Sequence, residues 1–525
     1  MNGPNVFLIG AGPGDPGLIT VRGLDCLKRA DVVLHDHLVN ERLLRYARPD
    51  AELIDVGTAA PRPMAQEAIC YLIVEKAREG KVVARLKWGD PFVFDRGGEE
   101  ALFLHEQGVA FEVVPGIPAG IGVPAYAGVP VTYPGGGDTL IMVRGYEDES
   151  RTMPDVDWAS IARLEGTVVC YAGATQLPRI LDALLSNGRA PDETGVIVQN
   201  GTQTSQTTRA GTLVDLLEEL REHPLSRPAI LVVGRVVGFR DHLRWFDARP
   251  LFGKRVLVTR PREQASELCD ALSALGAETI EAPMIRIVPA EDRGPLEEAA
   301  SRAGDFDWII FTSGNAVEAF MDALLAGNAD VRALKGPRLC TVGPSTAAKL
   351  GSYGIKVDLF PAEFRAEGVV EAIMRQGSLD GARVLVPRAD IGREVIVEAL
   401  RAAGAEVTDV TAYRTILDEP QREGTPDVYG MLLERKIDVV TFTSGSAVRN
   451  FTKIYGTEPA ADLLRNTAVA AIGPLTAQAA EQLGIRISIQ PTTYTIPALV
   501  EAIVEYYRGQ PDNVQNDTPT RSLHA

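Results

Sequence analysis

The fold of the first half of the chain is decided by one stretch, Arg85-Leu-Lys-Trp-Gly-Asp-Pro-Phe-Val-Phe-Asp-Arg-Gly-Gly-Glu-Glu100. It follows the apolar run Lys81-Val-Val-Ala84, which predicts a short buried strand, and it leads into the helix formers of residues 98–107. A glycine-aspartate-proline turn at a strand end lies where open α/β sheets bind their ligands. We therefore predict a ligand site at Gly89 and Asp90.

Two further glycine-rich turns accompany this one. An isolated Gly-Asp-Pro is more often a plain strand-to-helix turn, but Gly10-Ala-Gly-Pro-Gly-Asp-Pro-Gly17 and Pro115-Gly-Ile-Pro-Ala-Gly120 add to the pattern. The first follows the predicted strand Val6-Phe-Leu-Ile9 and precedes the predicted strand Val32-Val-Leu-His35. This order approaches the dinucleotide-binding fingerprint, but Asp15 occupies the third glycine position, where its charge would repel a pyrophosphate. An NAD(P)-linked oxidoreductase is therefore the less favoured alternative.

The length and composition of the chain predict a globular protein with several domains. Its 525 residues are too many for one hydrophobic core, and 45% hydrophobic and 23% charged residues are ordinary for a soluble protein. No apolar run approaches the roughly 20 residues of a membrane span, and the start Met1-Asn-Gly-Pro-Asn-Val6 does not resemble a signal peptide. The net charge of -17 disfavours nucleic acid as a partner. We expect a cytoplasmic protein that binds neither nucleic acid nor membranes.

The cysteines and histidines do not predict a metal site. The cysteines are scattered along the chain without a Cys-x-x-Cys pair, which favours reduced thiols over disulfides or a zinc site. His35 and His37 flank Asp36 and would point to the same face of a strand, but no third ligand has a suitable spacing. We expect no bound metal.

The second half contains a duplicated pattern. Val256-Leu-Val-Thr-Arg260 corresponds to Val384-Leu-Val-Pro-Arg388, and Thr341-Val-Gly-Pro-Ser-Thr-Ala347 corresponds to Ala471-Ile-Gly-Pro-Leu-Thr-Ala477. Residues 306–317 correspond in the same way to residues 437–448, so that all offsets are about 130 residues. Each unit reads as a strand, a turn and a helix, which predicts two similar α/β lobes.

The first half, residues 4–246, resembles uroporphyrinogen-III C-methyltransferase of the tetrapyrrole methylase family. The resemblance implies two α/β lobes, residues 4–114 and 115–246, and a homodimer formed through this domain. It also implies transfer of methyl groups from S-adenosyl-L-methionine to two pyrrole carbons of uroporphyrinogen III, which gives precorrin-2. The resemblance rests on Gly10-Ala-Gly-Pro-Gly-Asp15, Asp36, Arg85-Leu-Lys87, Gly89-Asp-Pro-Phe92, Arg96-Gly-Gly-Glu-Glu100, Val114-Pro-Gly-Ile117, Ala125-Tyr-Ala-Gly128, Pro228-Ala229 and Gly234-Arg-Val-Val237.

The same resemblance implies which residues act in methylation. Asp36 would be the base that removes a proton as the ring system rearranges, with a pKa raised by a closed cleft. The alternative is that Asp36 only caps the segment that follows it. The methyl donor would meet mostly backbone groups at Pro13, Gly89, Asp90, Val93, Pro118, Ala119, Ala172 and Gly201.

This sequence departs from the family pattern on the substrate side of the expected site. Trp88 and Asp95 stand where we expect glycine, and Ala172 stands where we expect methionine. Thr58 replaces an expected lysine, and Tyr133-Pro134 replaces an expected histidine-arginine pair. A second alternative is therefore a tetrapyrrole-binding first half that does not transfer methyl groups.

The second half, residues 254–507, resembles uroporphyrinogen-III synthase through the duplicated motifs and Ala412-Tyr-Arg414. The resemblance implies cyclisation of hydroxymethylbilane with inversion of one pyrrole ring and loss of water. It implies one lobe from residues 254–288 and 414–507 and another from residues 289–413. Tyr413 would assist departure of the hydroxyl; the alternative is a buried hinge tyrosine with a satisfied hydroxyl. The polar tail, residues 508–525, is predicted to be disordered.

Serine and threonine residues at predicted helix N-termini would bind the carboxylates of this substrate. Hydroxyls and unpaired amides at helix starts bind anions without many lysines, although helix capping is the commoner role for any one such residue. These residues are Thr312, Ser313, Ser345, Thr443, Ser444 and Thr476.

The two implied activities are consecutive on the route to sirohaem and cobalamin. We therefore expect a bifunctional enzyme with an α/β fold, in which a two-lobed tetrapyrrole methylase domain precedes a two-lobed, duplicated synthase domain. Which of the two end products it serves, and whether intermediate passes directly between the halves, stay open.

Overall fold

The computed structural model describes residues 3–57, 64–134, 139–145, 156–327, 329–359, 361, 366–390, 395–417 and 426–509. Thr58, the side chain of Ser345 and the predicted disordered tail from residue 510 onward lie outside the described residues. The described residues form two compact units: one contains those of 3–254 together with 272–278 and 504–509, and the other contains those of 255–271 and 279–503. Within the described ranges, no helix is both long and apolar enough to cross a membrane.

The first unit begins with alternating strands and helices, and these strands form its first sheet. In chain order they are β1 (Val6–Gly10), α1 (Val21–Arg29), β2 (Val32–His35), α2 (Glu41–Leu44), β3 (Glu52–Asp55), α3 (Gln66–Arg78), β4 (Val83–Lys87), α4 (Gly97–Glu106) and β5 (Phe111–Val114). The strands are parallel and lie in the order β3-β2-β4-β1-β5. From β1 the chain crosses to β2 on one side of the sheet, and from β4 it crosses to β5 on the other side. The adjacent carboxyl ends of β1 and β4 are therefore where open α/β sheets bind ligands.

A mixed sheet follows in the same unit. Its elements are α5 (Ala119–Tyr126), β6 (Leu140–Arg144), α6 (Trp158–Arg163), β7 (Thr167–Ala172), α7 (Leu177–Ser186), β8 (Thr194–Gln199), β9 (Thr207–Thr212), α8 (Leu213–Glu222), β10 (Ala229–Val233) and α9 (Arg240–Leu243). The strand order is β6-β7-β10-β8-β9, with β6 and β7 parallel and the other neighbours antiparallel. Helix α5 packs against one face of this sheet through Ala119 and Val123.

The three glycine-rich turns meet at the carboxyl ends of β1 and β4. A Cβ atom on Gly10 would lie 2.5 Å from the Cα of Gly116, and one on Gly116 would lie 2.2 Å from the carbonyl oxygen of Gly89. Gly12 and Gly89 exchange two backbone hydrogen bonds, of 3.1 and 2.9 Å. Gly89 has a φ of 72°, a left-handed conformation that side chains disfavour. Backbone contact between the turns therefore requires glycine at these positions.

From Arg255 onward the chain builds two further sheets. The strands are β11 (Arg255–Val258), β12 (Glu278–Glu281), β13 (Ile285–Pro289), β14 (Trp308–Phe311), β15 (Arg338–Thr341), β16 (Arg383–Ala389), β17 (Glu406–Leu417), β18 (Val439–Phe442) and β19 (Ala468–Ala471). The helices are α10 (Arg262–Ala274), α11 (Gly294–Ser301), α12 (Gly314–Ala326), α13 (Pro344–Ser352), α14 (Ala366–Met374), α15 (Val395–Ala402), α16 (Val428–Leu433), α17 (Gly445–Tyr455), α18 (Thr457–Leu463), α19 (Pro474–Glu481) and α20 (Ile496–Arg508). The sheets have the orders β12-β11-β18-β19 and β13-β17-β16-β14-β15.

The two later sheets repeat each other in their details. Asp307 accepts a hydrogen bond from the backbone N–H of Arg383 at 2.8 Å, and Asp438 accepts one from the backbone N–H of Arg255 at 2.7 Å. Each of these contacts joins the start of a central strand to its parallel neighbour. Strand β13 pairs with β17, so the change of sheet near residues 282–284 comes a few residues before the expected position 288.

Replacing Gly116 by alanine destabilises the first unit by about 3 kcal/mol, because the new Cβ would overlap the backbone of Gly10 and Gly89. Gly98→Ala is the matched control: it lies in α4 with no atom within 4 Å of its Cβ position, so it stabilises by roughly 0.5–1 kcal/mol. Scanning calorimetry of the full chain measures both effects. Equal shifts of the two variants would contradict the backbone-contact explanation.

Candidate active sites

Asp36 lies just after β2 and is held by two groups of β4 and its following turn. The Nη2 of Arg85 donates a hydrogen bond to Oδ1 of Asp36 at 2.5 Å, and the backbone N–H of Trp88 donates to Oδ2 at 3.1 Å. Both carboxylate oxygens therefore face the neighbouring strand, and the side chain does not cap the segment that follows it. The capping alternative for Asp36 is wrong.

Behind Asp36 lies a group of charged side chains that we call the buried charge cluster: Asp36, Arg85, Lys87, Asp95 and Glu100. The Oε1 of Glu100 accepts hydrogen bonds from Arg85 at 3.1 Å and from Lys87 at 3.0 Å. The Nζ of Lys87 also lies 3.2 Å from Oδ1 of Asp95. The side chains of Arg85, Lys87 and Glu100 are 2%, 1% and 0% exposed, so these charges depend on one another rather than on water.

The cluster shifts the pKa values of two of its carboxylates in opposite directions. Burial alone would raise the pKa of Asp36, but the charges of Arg85 and Lys87, together with the two hydrogen bonds, hold it below its usual range. Burial raises the pKa of Asp95 to about 6; Lys87 opposes this shift and the charge of Asp36 adds to it. The expectation of a raised pKa for Asp36 is therefore wrong, because its cationic neighbours outweigh its burial.

Sequence reasoning did not identify the cluster as a unit, although a signal was present. Arg85 and Lys87 alternate along a strand that is otherwise apolar, so both side chains point to the same face of the sheet. Two cations on a buried face require nearby carboxylates. Glu100, in the first turns of α4, meets this requirement. Among the described residues, it is the only carboxylate of the cluster that is fully buried.

Four of the positions expected to bind the methyl donor lie close together: Pro13, Gly89, Pro118 and Ala119. A Cβ on Gly89 would lie 3.8 Å from the backbone N of Ala119. It would lie 4.0 Å from both the Cα of Pro118 and the carbonyl oxygen of Ile117. The ring of Pro13 lies against the start of α5, 2.8 Å from the Cβ position of Gly122. The space beside Gly89 thus faces one backbone donor and one backbone acceptor.

Asp90 uses its carboxylate to hold the turns together. Its Oδ1 accepts from the backbone N–H of Phe92 at 2.8 Å, and its Oδ2 accepts from that of Gly116 at 2.9 Å. The half-buried Val93 donates its backbone N–H to the carbonyl of Asp90 at 3.3 Å. This part of the expected donor site is thus formed by a tightly hydrogen-bonded turn.

Ala172 and Gly201 lie on the second sheet and in the turn after β8. Ala172 is buried, and its side chain packs in the core that contains Leu177, not in the core that contains Ala119. A Cβ on Gly201 would lie 2.4 Å from Val123 of α5. Contact of either residue with a ligand would therefore have to come from its backbone.

Asp15 has a structural role at the position where a dinucleotide-binding motif has glycine. Its Oδ1 accepts from the backbone N–H of Gly17 at 2.8 Å, and its Oδ2 accepts from the hydroxyl of Tyr126 at 2.7 Å. Its own backbone N–H donates to Oγ1 of Thr202 at 2.9 Å. Asp15 therefore ties the first glycine turn to α5 and to the turn after β8.

In the second half, the structure brings Tyr413 and Ser313 together. The two hydroxyl oxygens are 3.1 Å apart, across 100 residues of sequence. Ser313 is also the N-cap of α12, where its Oγ accepts from the backbone N–H of Ala316 at 3.2 Å. Tyr413 is 9% exposed. Its hydroxyl is thus satisfied, as the hinge alternative expects, and it also stands beside a predicted substrate-binding residue.

The other predicted carboxylate-binding residues are divided between the two sheets. Thr312 precedes Ser313 before α12. Ser444 is the N-cap of α17 and accepts from the backbone N–H of Ala447 at 3.2 Å. Thr443 is half-buried beside it, and Thr476 is buried in the first turn of the neighbouring helix α19. Each sheet therefore carries its own group of hydroxyls at helix starts.

Two protein-family models match the chain: residues 5–217 match tetrapyrrole (corrin/porphyrin) methylases, and residues 266–501 match uroporphyrinogen-III synthase HemD. Porphyrin biosynthesis protein HemD of Ruminiclostridium josui is 34% identical over 505 residues, which cover 96% of this chain and 98% of that protein. Uroporphyrinogen-III C-methyltransferase of Bacillus subtilis (strain 168) is 41% identical over 330 residues, 63% of this chain and 68% of that protein. The crystal structure of uroporphyrin-III C-methyltransferase from Thermus thermophilus, complexed with S-adenyl homocysteine, is 38% identical, covers 44% of this chain and 98% of its own, and has a TM-score of 0.38.

Replacing Asp95 by asparagine stabilises the first unit at neutral and alkaline pH. The pKa of Asp95 in the folded protein, about 6, lies above the ordinary 3.8, so its ionised form destabilises the folded state. Above pH 6 the gain in free energy of unfolding is up to about 3 kcal/mol, from a shift of roughly two pKa units. The gain decreases as the pH falls from about 6 toward 4, because the folded protein then binds the proton itself. Urea unfolding at pH 8, 6.5 and 5 tests this; a gain that does not change with pH would contradict it.

Proposed function

This chain belongs to the tetrapyrrole methylase family through residues 5–217 and to the uroporphyrinogen-III synthase family through residues 266–501, and we propose that its halves catalyse consecutive reactions. It is a bifunctional enzyme of tetrapyrrole biosynthesis. The second half, residues 254–507, cyclises hydroxymethylbilane to uroporphyrinogen III, and the first half, residues 4–246, methylates that product to precorrin-2. The observation that carries this proposal is the similarity to a relative that matches both halves in the same order over 96% of the chain.

Methyl transfer in the first half requires mainly the alignment of two substrates. The methyl group of S-adenosyl-L-methionine is already activated by its sulfonium, so the protein contributes by holding the attacking carbon in line with it. We propose that the donor occupies the space beside Gly89, between the turn of Asp90 and Val93 and the start of α5. The backbone N of Ala119 and the carbonyl oxygen of Ile117, 3.8 and 4.0 Å from the Cβ position of Gly89, support this placement as a donor and an acceptor for the ligand.

Asp36 is the proposed catalytic carboxylate of the first half. Methyl transfer moves the positive charge of the sulfonium onto the pyrrole ring, and a fixed anion beside the ring lowers the energy of that transition state. The charge of Arg85 keeps Asp36 ionised, and the hydrogen bonds from Arg85 and Trp88 hold it in position. In this role Asp36 acts chiefly through its charge, because its lowered pKa makes it a weak proton acceptor.

Tyr413 is the proposed catalytic residue of the second half. The hydroxyl of hydroxymethylbilane leaves more readily when a neighbouring group donates a hydrogen bond to it. Ser313 can accept the Tyr413 proton in a hydrogen bond or donate its own, and it thereby orients the phenol. The substrate carboxylates would bind at the helix starts of Thr312, Ser313, Ser345, Thr443, Ser444 and Thr476.

The oxidoreductase alternative has lost its structural basis. It depends on a pyrophosphate at the first glycine turn, and there the carboxylate of Asp15 is fixed by Gly17 and Tyr126. The second alternative, a first half that binds tetrapyrrole without methylating it, is decided by incubating hydroxymethylbilane with the full chain, with and without S-adenosyl-L-methionine. Cyclisation without a methylated product would support that alternative.

We further propose that the enzyme acts in the cytoplasm as a homodimer formed through the methyltransferase domain. The cysteines are all buried thiols, which suits a reducing compartment. The dimer rests on the family resemblance, and light scattering of the purified full chain measures it.

Replacing Asp36 by asparagine lowers the rate of methyl transfer by about 10² or more, because the transition state loses a fixed negative charge. Cyclisation of hydroxymethylbilane by the same protein stays at the wild-type rate, which serves as the internal control. Methylated product is measured after extraction and oxidation to coloured porphyrinoids. A wild-type methylation rate in this variant would refute the role of Asp36.

Replacing Tyr413 by phenylalanine lowers the rate of cyclisation by about 10-fold to 10²-fold, since one hydrogen-bond donor to the leaving hydroxyl is lost. Methylation of added uroporphyrinogen III is unaffected. Chromatography separates the type III product from the type I isomer, which forms without the enzyme. Loss of both activities would indicate misfolding and not a catalytic effect.

A further inference from the structure

We propose that Asp95 receives the proton that the tetrapyrrole releases at each methyl transfer. This inference rests on the proposed methylation function and adds a residue to it. Asp95 stands in the turn between β4 and α4.

The turn that carries Asp95 lies between the buried charge cluster and the proposed methyl-donor site. On one side, Oδ1 of Asp95 contacts Nζ of Lys87 at 3.2 Å. On the other, the ring of the preceding Phe94 packs edge-on against Tyr171, with 5.0 Å between ring centroids. The hydroxyl of Tyr171 accepts a hydrogen bond from the backbone N–H of Gly120 at 2.6 Å. Gly120 follows Ala119 directly, so the contacts of the neighbouring Phe94 join the turn that carries Asp95 to the wall of the proposed donor site.

Within the described part of the chain, one oxygen of the Asp95 carboxylate has no hydrogen-bond partner. Among the described residues, Oδ2 of Asp95 is buried and makes no hydrogen bond. Oε2 of Glu100 is in the same condition, but the Glu100 side chain is 0% exposed, whereas that of Asp95 is 21% exposed. By contrast, both oxygens of Asp36 and of Asp90 accept hydrogen bonds. Asp95 is therefore the carboxylate of this group that combines a covered, unused oxygen with a partly exposed side chain.

The charges around Asp95 favour the uptake of one proton. Strand β4 contributes Arg85 and Lys87, the residue after β2 is Asp36, and α4 contributes Glu100. Two cations thus face three carboxylates, and the cluster becomes neutral when one carboxylate is protonated. Asp36 is held ionised by Arg85, and Glu100 shares one oxygen with Arg85 and Lys87. The raised pKa of Asp95, about 6, agrees with this geometry and suits a group that exchanges protons near neutral pH.

Asp95 makes its contacts within the fold through one oxygen: Oδ1 accepts from the backbone N–H of Arg96, the N-cap of α4, at 2.6 Å and lies 3.2 Å from Nζ of Lys87. A partly buried carboxylate with an unsatisfied oxygen destabilises a protein. Lys87 already has Glu100 as a partner at 3.0 Å, so it does not require a second anion. Groups kept against their effect on stability, with a shifted pKa and beside a ligand site, are typical of functional residues.

The proposed step balances for each methyl group transferred. A pyrrole carbon of uroporphyrinogen III attacks the methyl carbon; a carbon–carbon bond forms, the carbon–sulfur bond breaks, and its electron pair stays on sulfur. The methylated tetrapyrrole now carries the positive charge that the sulfonium has lost. A carbon-bound or nitrogen-bound hydrogen of the ring system leaves as a proton, its bonding pair neutralises the ring, and the proton binds to the Asp95 carboxylate. Asp95 returns it to water before the second transfer.

The test is the pH dependence of methyl transfer by the full chain, measured as kcat/KM from pH 5 to 9 for the wild type, Asp95→Asn and Glu99→Gln. The wild-type rate is expected to fall below about pH 6, because protonated Asp95 cannot accept a proton. In Asp95→Asn this inflection disappears, and the plateau at pH 8 is about 10²-fold lower. Glu99 is an exposed carboxylate of the same region, at 58% exposure, and its variant keeps both the inflection and the plateau.

Three outcomes would overturn the inference. One is an Asp95→Asn variant with the wild-type plateau and inflection. Another is a lowered plateau that keeps the inflection, which would mean that Asp95 only positions its neighbours. Calorimetric binding of S-adenosylhomocysteine to Asp95→Asn shows whether the site is folded, and undiminished binding with lost inflection supports the proposal. Absence of methylated product from the wild type at every pH, with normal cyclisation, would instead refute the methylation function, and this inference with it.

Discussion

The guanidinium of Arg85 is sealed from water in the centre of a parallel sheet, and much of the first half is arranged around its neutralisation. A buried charge of this kind is stable only with hydrogen-bonded counter-charges. Asp36, at the end of β2, and Glu100, on α4, supply them at 2.5 and 3.1 Å. A strand, the residue after a neighbouring strand and a helix are therefore held together by one side chain. The same contact fixes the direction of the Asp36 carboxylate toward the ligand edge of the sheet.

The three glycine-rich turns beside that cluster allow backbone segments to approach one another closely. A small ligand bound between backbone segments needs turns that approach closely, and a Cβ on Gly10 or Gly116 would overlap a carbonyl oxygen or a Cα. Asp90 and Asp15 use their carboxylates to hold these turns in place and not to carry charge to a ligand. The proposed donor site thus consists mainly of peptide groups, whereas the ionised side chains of the buried charge cluster lie around β4.

An acidic chain with a net charge of -17 that acts on polyanionic tetrapyrroles must attract carboxylates by local means. Helix starts provide such means, because their unpaired N–H groups and capping hydroxyls bind anions without adding net charge. Ser313 and Ser444 occupy equivalent N-cap positions on the two duplicated sheets. Duplication of one strand-turn-helix unit thereby produces two similar edges with capping hydroxyls, where we propose that the substrate carboxylates bind.

Local pattern alone determined much of this molecule. Apolar runs beside glycine turns predicted strands β1, β2 and β4 of the first parallel sheet, and the repeat of about 130 residues predicted two similar later lobes. Strand β9 escaped detection because it is an edge strand of threonine, arginine and glycine with no apolar run. Only the tertiary structure decided that Asp36 has a lowered pKa and Asp95 a raised one, and that Tyr413 meets Ser313. Proton affinity depends on burial and on the distances between charges from different elements, and these quantities do not exist until residues far apart in the chain have packed together.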